Sequence, residues 1–407
     1  VRQEGWRQYK ESLKYLASGS STSSKIPIYE NIEPPLIVKG KGCRVWDVDG
    51  NEYIDFRNAL GPVSIGYSID QINSQIKEQL DNGIIFGHPS PIEGEVAKLL
   101  VENIPCAKKV RFLKTGGEAI SACIKIARAF TGKNKIVHCG YNGWLNNLAL
   151  GEGMPPGISK SQPLRGVPQQ ISSLHFTLPW AVIERWIKLF EKEGNDIAAV
   201  VVASAYQDME KGEDFLPQVR ELTRRYDSLM IMDEIVTGFR LAIGGAHQYF
   251  NFLPDMAVFG KAMANGMPIS AYLGKSELIE LAREIGISST FGGETLSLAS
   301  AKATIRFYTE NEVTSHLWQM GNLLKDGINE IFKRYNFPCE LKGFGPCPQF
   351  VFKDDLMKDR FFQGCYRNGV SFYHVVYVNY SHKEKDIEET LERVEETIRE
   401  LKDEDAR

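Results

Sequence analysis

Lys261 follows the apolar run Met256-Ala257-Val258-Phe259, and Asp233 closes the run Leu229-Met230-Ile231-Met232. A lysine amine adds to a carbonyl carbon once it has lost its proton, and an apolar strand-end pocket lowers its pKa toward that state. An ionised carboxylate beside a heterocyclic nitrogen keeps that nitrogen protonated, so that the ring can draw electrons from an attached carbon. A lone lysine is usually a solvated surface charge, and a lone aspartate after a strand is usually a turn or cap residue. Here each follows a β-like run and each leads into a glycine-containing turn, at Gly238 and at Gly266. The pair is what a pyridoxal phosphate enzyme needs: an amine that forms a Schiff base with the cofactor aldehyde, and an acid for its ring nitrogen.

Two further segments suit such a cofactor. Thr115-Gly116-Gly117-Glu118-Ala119 ends a strand-like run and opens a helix pattern. Amides at a helix N-terminus favour a phosphate, and Gly116 and Gly117 allow close approach, although a Gly-Gly turn before a helix is commonplace. Gly140-Tyr141-Asn142-Gly143-Trp144 offers Tyr141 as an aromatic face for a flat ring, or simply as a core tyrosine.

The elements that must position these residues alternate. β-like runs at Lys109–Leu113, Lys135–His138, Ala198–Ala203, Leu229–Met232, Met256–Phe259 and Ile269–Leu273 are interleaved with helical patterns such as Glu118–Phe130 and Pro217–Tyr226. Such alternation predicts an α/β fold with a mainly parallel sheet covered by helices, whose ligands sit at strand carboxyl ends. Beyond about Ser300 the pattern changes to a long helix, short strand-like pieces at Cys339–Gly343, Gln349–Phe352 and Tyr373–Asn379, and a final amphipathic helix from Lys385. That predicts a smaller α+β domain.

The chain resembles the class III aminotransferases, within them the glutamate-1-semialdehyde aminomutase-like branch. The resemblance rests on MDEIVTGFRLAIGGAHQYF (232–250) and PDMAVFGKAMANGMPISAYLGKSEL (254–278). It extends through VWDVDGNEYIDF (45–56), KTGGEAISACIKIARAFTGKNKIV (114–137), GYNGW (140–144) and STFGGETLSLAS (289–300). It implies a fold-type I pyridoxal phosphate-dependent transferase with catalytic Lys261 and Asp233. Gly116 and Gly117 would hold the cofactor phosphate, Tyr141 would stack on the ring, and Thr290 would reach the phosphate of a neighbouring subunit, so a homodimer with shared sites is expected. The implied domains are an N-terminal segment (1–60) packing with the small domain, a large cofactor-binding domain (61–300) and a C-terminal small domain (301–407).

Departures from the family pattern bear on substrate. Gly117 replaces a threonine and Asn142 replaces a histidine; Asn142 can hydrogen-bond but carries no proton. Ala203-Ser204 stands for Glu-Pro, leaving Tyr206 or Gln207 for the ring hydroxyl, and Glu294-Thr295 stands for Asn-Pro. Lys25 occupies the place of an arginine that grips the substrate carboxylate in the aminomutases. A lysine keeps the charge and loses the bidentate fork. The expected activity is transfer of an amino group from an amino-acid donor to a ketone or aldehyde acceptor. The alternatives are glutamate-1-semialdehyde 2,1-aminomutation and a catalytically degenerate cofactor binder.

Composition fits these readings. The 407 residues are 43% hydrophobic and 25% charged with a formal net charge of −4, an ordinary globular profile that argues against a nucleic-acid partner. No apolar run has the length of a membrane span, and the first residues carry no signal-like core. Seven scattered cysteines without a CxxC predict reduced thiols and a cytoplasmic setting. The histidines show no ligand spacing, so no metal site is expected.

Overall fold

The computed structural model describes residues 3–145 and 166–405. It divides into two compact units, one drawn from Asp70 to Thr314, the other joining the chain up to Ile69 to the chain from Ser315 onward.

The first unit holds a seven-stranded sheet. Its strands are β1 (Lys109–Leu113), β2 (Lys135–Cys139), β3 (His175–Thr177), β4 (Ile197–Val202), β5 (Leu229–Asp233), β6 (Met256–Phe259) and β7 (Ser270–Gly274). The order across the sheet is β1-β7-β6-β5-β4-β2-β3. The pairs from β3 through β2, β4 and β5 to β6 are parallel, and β7 runs antiparallel to both of its neighbours. A parallel strand covered on both faces reads as a continuous apolar run, and every residue of β4 and β5 is buried. Asp233 is the last residue of β5 and its one charged side chain.

The helix Gly116–Thr131 begins two residues before the expected start because Thr115 caps it. Thr115 accepts from the Glu118 amide, and Glu118 reaches back to the Thr115 amide in a capping box. Its buried face, including Ile120, Cys123 and Ala127, packs with Val201, Ile231 and Val258 of the sheet. The helix Gly212–Arg225 also starts early. Pro217 lies within its second turn, where it withholds only one amide donor.

The second unit contains a four-stranded sheet of Ile37–Lys41, Arg44–Asp47, Glu52–Asp55 and Val370–Ser371. It also holds the hairpin of Cys339–Lys342 with Gln349–Phe352 and the helix Glu384–Asp405, which buries Ile387, Val394, Ile398 and Leu401. Tyr373–Asn379 was expected as a strand and forms only an isolated bridge, Gln349 to Val375. Its backbone is bonded on two sides: Phe350 N–H donates to His374 O at 2.9 Å and Val376 N–H to Pro348 O at 2.8 Å, while Tyr377 N–H donates to Phe56 O at 2.9 Å and Asn58 Nδ2 to Tyr377 O at 2.6 Å.

The seams fall at Ile69/Asp70 and Thr314/Ser315, where the sequence suggested 60 and 300. The helix Thr295–Glu310 belongs to the first unit because it packs against Asp70–Asn82, Pro91–Asn103 and the turn Lys261–Ala264. No described helix is long and apolar enough to cross a membrane. All seven cysteines are unbridged.

Candidate active site

Asp233 and Lys261 come from neighbouring parallel strands. Asp233 pairs with Val258 of β6, and Lys261 begins the turn two residues beyond that strand. Each shifts the other's pKa, so the two charges are within electrostatic reach. Burial pushes the Asp233 carboxyl up to about 6, against the pull of its bonds from Asn142 and Ile235 and of the Lys261 charge. Burial lowers the Lys261 amine to about 8; Asp233 opposes this and Arg240 adds to it. At pH 7 roughly a tenth of such an amine is neutral, enough to act as a nucleophile or base. Lys261 also has φ of 40°, a left-handed conformation rare for a side chain of this size.

The carboxylate is held from two sides. The Ile235 amide donates to Asp233 Oδ1 at 3.2 Å, and Asn142 Nδ2 donates to Oδ2 at 3.2 Å. Asn142 is buried, and its Oδ1 lies 3.2 Å from His138 Nδ1. It is therefore a hydrogen-bond partner of the acid. Gly140 makes this turn possible. Its φ is +77°, and a Cβ there would lie 2.8 Å from Ala203 O. Tyr141 follows it, 37% exposed, its pKa raised by burial and by Asp233.

Gly116 and Gly117 head their helix, with amides at the positive end of the helix dipole. A Cβ on Gly116 would stand 2.9 Å from Ile235 Cδ1, so a larger residue there would have to displace the Ile235 side chain in the turn that follows Asp233. Thr290 is exposed. Beyond it the two departures from the family pattern have local reasons. Glu294 caps the helix Thr295–Glu310 and accepts from Lys114 Nζ at 2.8 Å. Thr295 N–H and Oγ1 donate to Ile84 O at 2.8 and 2.9 Å, and a proline could make neither bond. Tyr206 is partly buried in the loop after β4. Lys25 ends a short helical turn in the other unit and is exposed.

Sequence reasoning missed Ser204, His138 and His175. Ser204 Oγ is buried with no hydrogen-bond partner among the described residues, two positions past the end of β4. His138 was legible in principle, as one polar residue inside the apolar strand Lys-Ile-Val-His-Cys.

Residues 28–398 match the family model for class III aminotransferases. The chain belongs to the class III aminotransferase family. A glutamate-1-semialdehyde 2,1-aminomutase of Persephonella marina is 32% identical, covering 97% of this chain and 98% of that protein. One of a Sulfurihydrogenibium species is 30% identical, with the same two coverages. The pyridoxal phosphate internal aldimine form of FumI from Sphingopyxis sp. MTA144 superposes with a TM-score of 0.90 at 24% identity, over 99% of this chain and 97% of that one. Class III aminotransferases use pyridoxal phosphate. The residues present fit that group. The helix N-terminus suits its phosphate, Asp233 its ring nitrogen and Lys261 its aldehyde, and the orphaned Ser204 hydroxyl offers a donor at the same strand ends.

Proposed function

We propose that this chain is a pyridoxal phosphate-dependent aminotransferase that moves an amino group from an amino-acid donor to a ketone or aldehyde acceptor. The observation that carries the reading is the pair at adjacent strand ends: a buried carboxylate bonded from two sides, and a lysine whose amine is lowered to about 8. When bound, the cofactor supplies an electron-withdrawing ring and an aldehyde that takes up amines. Lys261 would hold that aldehyde carbon, and its amine is the base at this site able to move a proton. Asp233 would accept from the ring nitrogen, Tyr141 would flank the ring, and the Gly116 and Gly117 amides would receive the phosphate.

Aminomutation is the second reading, favoured by the names of relatives matched along almost the whole chain. A degenerate binder fits poorly, since both acid and lysine are present and shifted. A half-reaction screen tests the assignment: the cofactor-loaded protein is mixed with single amino acids and its visible absorbance followed. Conversion by glutamate or alanine supports transamination. Response only to a vicinal diamino acid supports aminomutation, and response to neither removes both.

A homodimer with shared sites and a cytoplasmic location remain part of this proposal; the unbridged thiols support the second. Thr290→Ala is expected to weaken cofactor retention about 10–100-fold, the loss of one hydrogen bond to a charged group. Mixed dimers with Lys261→Ala chains decide whether the site is shared. In them the Thr290→Ala chain's own lysine receives an intact threonine from its partner and should bind normally. Binding as weak as in the Thr290→Ala homodimer ends the shared-site reading. The role of Lys25 rests on the resemblance alone. Lys25→Ala should lower kcat/KM for an anionic substrate about tenfold, and an unchanged value would place Lys25 outside the chemistry.

A further inference from the structure

His138 and His175 are buried, are linked to the acid only through Asn142, and have no part in the function proposed for the site. They belong to neighbouring strands. In the parallel pairing of β2 with β3, Ile136 faces His175 and His138 faces Thr177, so the two imidazoles are diagonal neighbours on one face of the sheet. His138 Nε2 lies 2.8 Å from His175 Nδ1. At the far end, Arg128 Nη2, from the last turn of the helix Gly116–Thr131, lies 3.2 Å from His175 Nε2.

We propose that Arg128, His175, His138 and Asn142 form a one-way chain of hydrogen bonds that holds Asp233 as an oriented acceptor for the cofactor. Its direction follows from its ends. A guanidinium only donates, so His175 Nε2 must accept, and His175 is then neutral with its proton on Nδ1. That proton is donated to His138 Nε2, which puts the His138 proton on Nδ1, where it is donated to Asn142 Oδ1. Asn142 is thereby left with its NH₂ toward Asp233, which must accept. A protonated Asp233 presenting its hydrogen to Asn142 would require the chain to run backwards, and it would stall at Arg128. Burial lowers the pKa of His138 to about 4 and that of His175 to about 3, in keeping with two neutral rings. His138 and His175 are thus positioning residues acting through Asn142, the last link before the acid.

The functional meaning of the chain rests on Asp233 serving the cofactor. Imidazole ¹⁵N spectra of the full chain, before and after cofactor is added, test the chain itself. Both rings should carry their proton on Nδ1, with Nε2 unprotonated, across roughly pH 6 to 8. Free histidine favours the opposite tautomer, so the expected result is distinctive. A proton on Nε2 of either ring overturns the proposal. A second measurement follows the Asp233 carboxyl by ¹³C NMR in the cofactor-free protein. Facing this carboxyl are Lys261 from the turn after β6, Glu234 beside it, Cys123 from the helix Gly116–Thr131 and Tyr141 from the turn after β2. With these unchanged, Asn142→Leu should raise the midpoint by about one pH unit. An unmoved midpoint in a folded variant shows that the chain does not act on Asp233. Failure of the cofactor reading has a different signature: a pyridoxyl group found on some lysine other than Lys261 removes that reading and leaves both tautomers as they are.

Discussion

Lys261→Ala is expected to lose turnover by about 10⁴-fold or more, because attachment of the cofactor and proton movement are both assigned to one amine. Borohydride reduction and peptide mapping of the parent should place a pyridoxyl group on Lys261; an adduct on another lysine would falsify the assignment. The variant should fold, and the backbone provides a control. With φ of 40°, residue 261 is left-handed, which costs a side-chain-bearing residue about 1–2 kcal/mol. Glycine escapes that cost and gives back about 0.5–1 kcal/mol through the entropy of the unfolded chain. Lys261→Gly should therefore be more stable than Lys261→Ala by about 0.5–1 kcal/mol in denaturant unfolding, with both equally inactive. The amine has its own pH signature in the cofactor-free protein. Below about 8 it is charged in both states, and the folded chain bears the full cost of burying it, about 3 kcal/mol. As pH rises from 8 toward 10.5 the folded form sheds its proton first, and stability increases relative to Lys261→Met. A flat difference across that window would mean that the lysine is not desolvated.

The strand-end placement of Asp233 and Lys261 was legible because its signal is local. Asp233 and Lys261 each interrupt apolar sequence, and Thr115 with Glu118 marks a helix start within four residues. The support for the acid was not legible. Arg128, His138, Asn142 and His175 come from a helix, a strand, a turn and a second strand, and only the register of β2 with β3 brings them together. That register cannot be read from β3, whose three residues are too few for a periodicity. Glu294 looked like a lost family residue, and it proves to be a helix cap paired with Lys114, a residue far from it in sequence that no local pattern brings near. The later seam between the two compact units falls after residue 300 for a related reason. The helix Thr295–Glu310 looks from sequence like the start of a new domain, and its packing partners lie some two hundred residues earlier, at Asp70–Asn82 and Pro91–Asn103.

Asp233→Asn should separate catalysis from stability. Turnover is expected to fall about 10²-fold or more, the usual consequence of removing a fixed electrostatic partner from a developing charge. Stability should stay near that of the parent, because two effects of similar size oppose each other. Burial raises the carboxyl to about 6 from 3.8, so at neutral pH the folded chain bears about 3 kcal/mol for an ionised Asp233, and asparagine removes this. However, Asp233 accepts on both oxygens, from the Ile235 amide and from Asn142 Nδ2. Asparagine has one acceptor oxygen, so one of those donors would face an NH₂, at a cost of about 1–3 kcal/mol. The pH dependence isolates the first effect. Above about 6 the parent carries the full burial penalty; as pH falls from 6 toward 3.8 the folded carboxyl takes up a proton before the unfolded one does, and the parent gains on the variant. Parallel stability profiles through that window would show that Asp233 is not desolvated. Turnover within a few-fold of the parent would show that the acid partner of the ring nitrogen lies elsewhere, whatever the stability. A large loss of turnover with stability held assigns the carboxylate to the chemistry rather than to the fold.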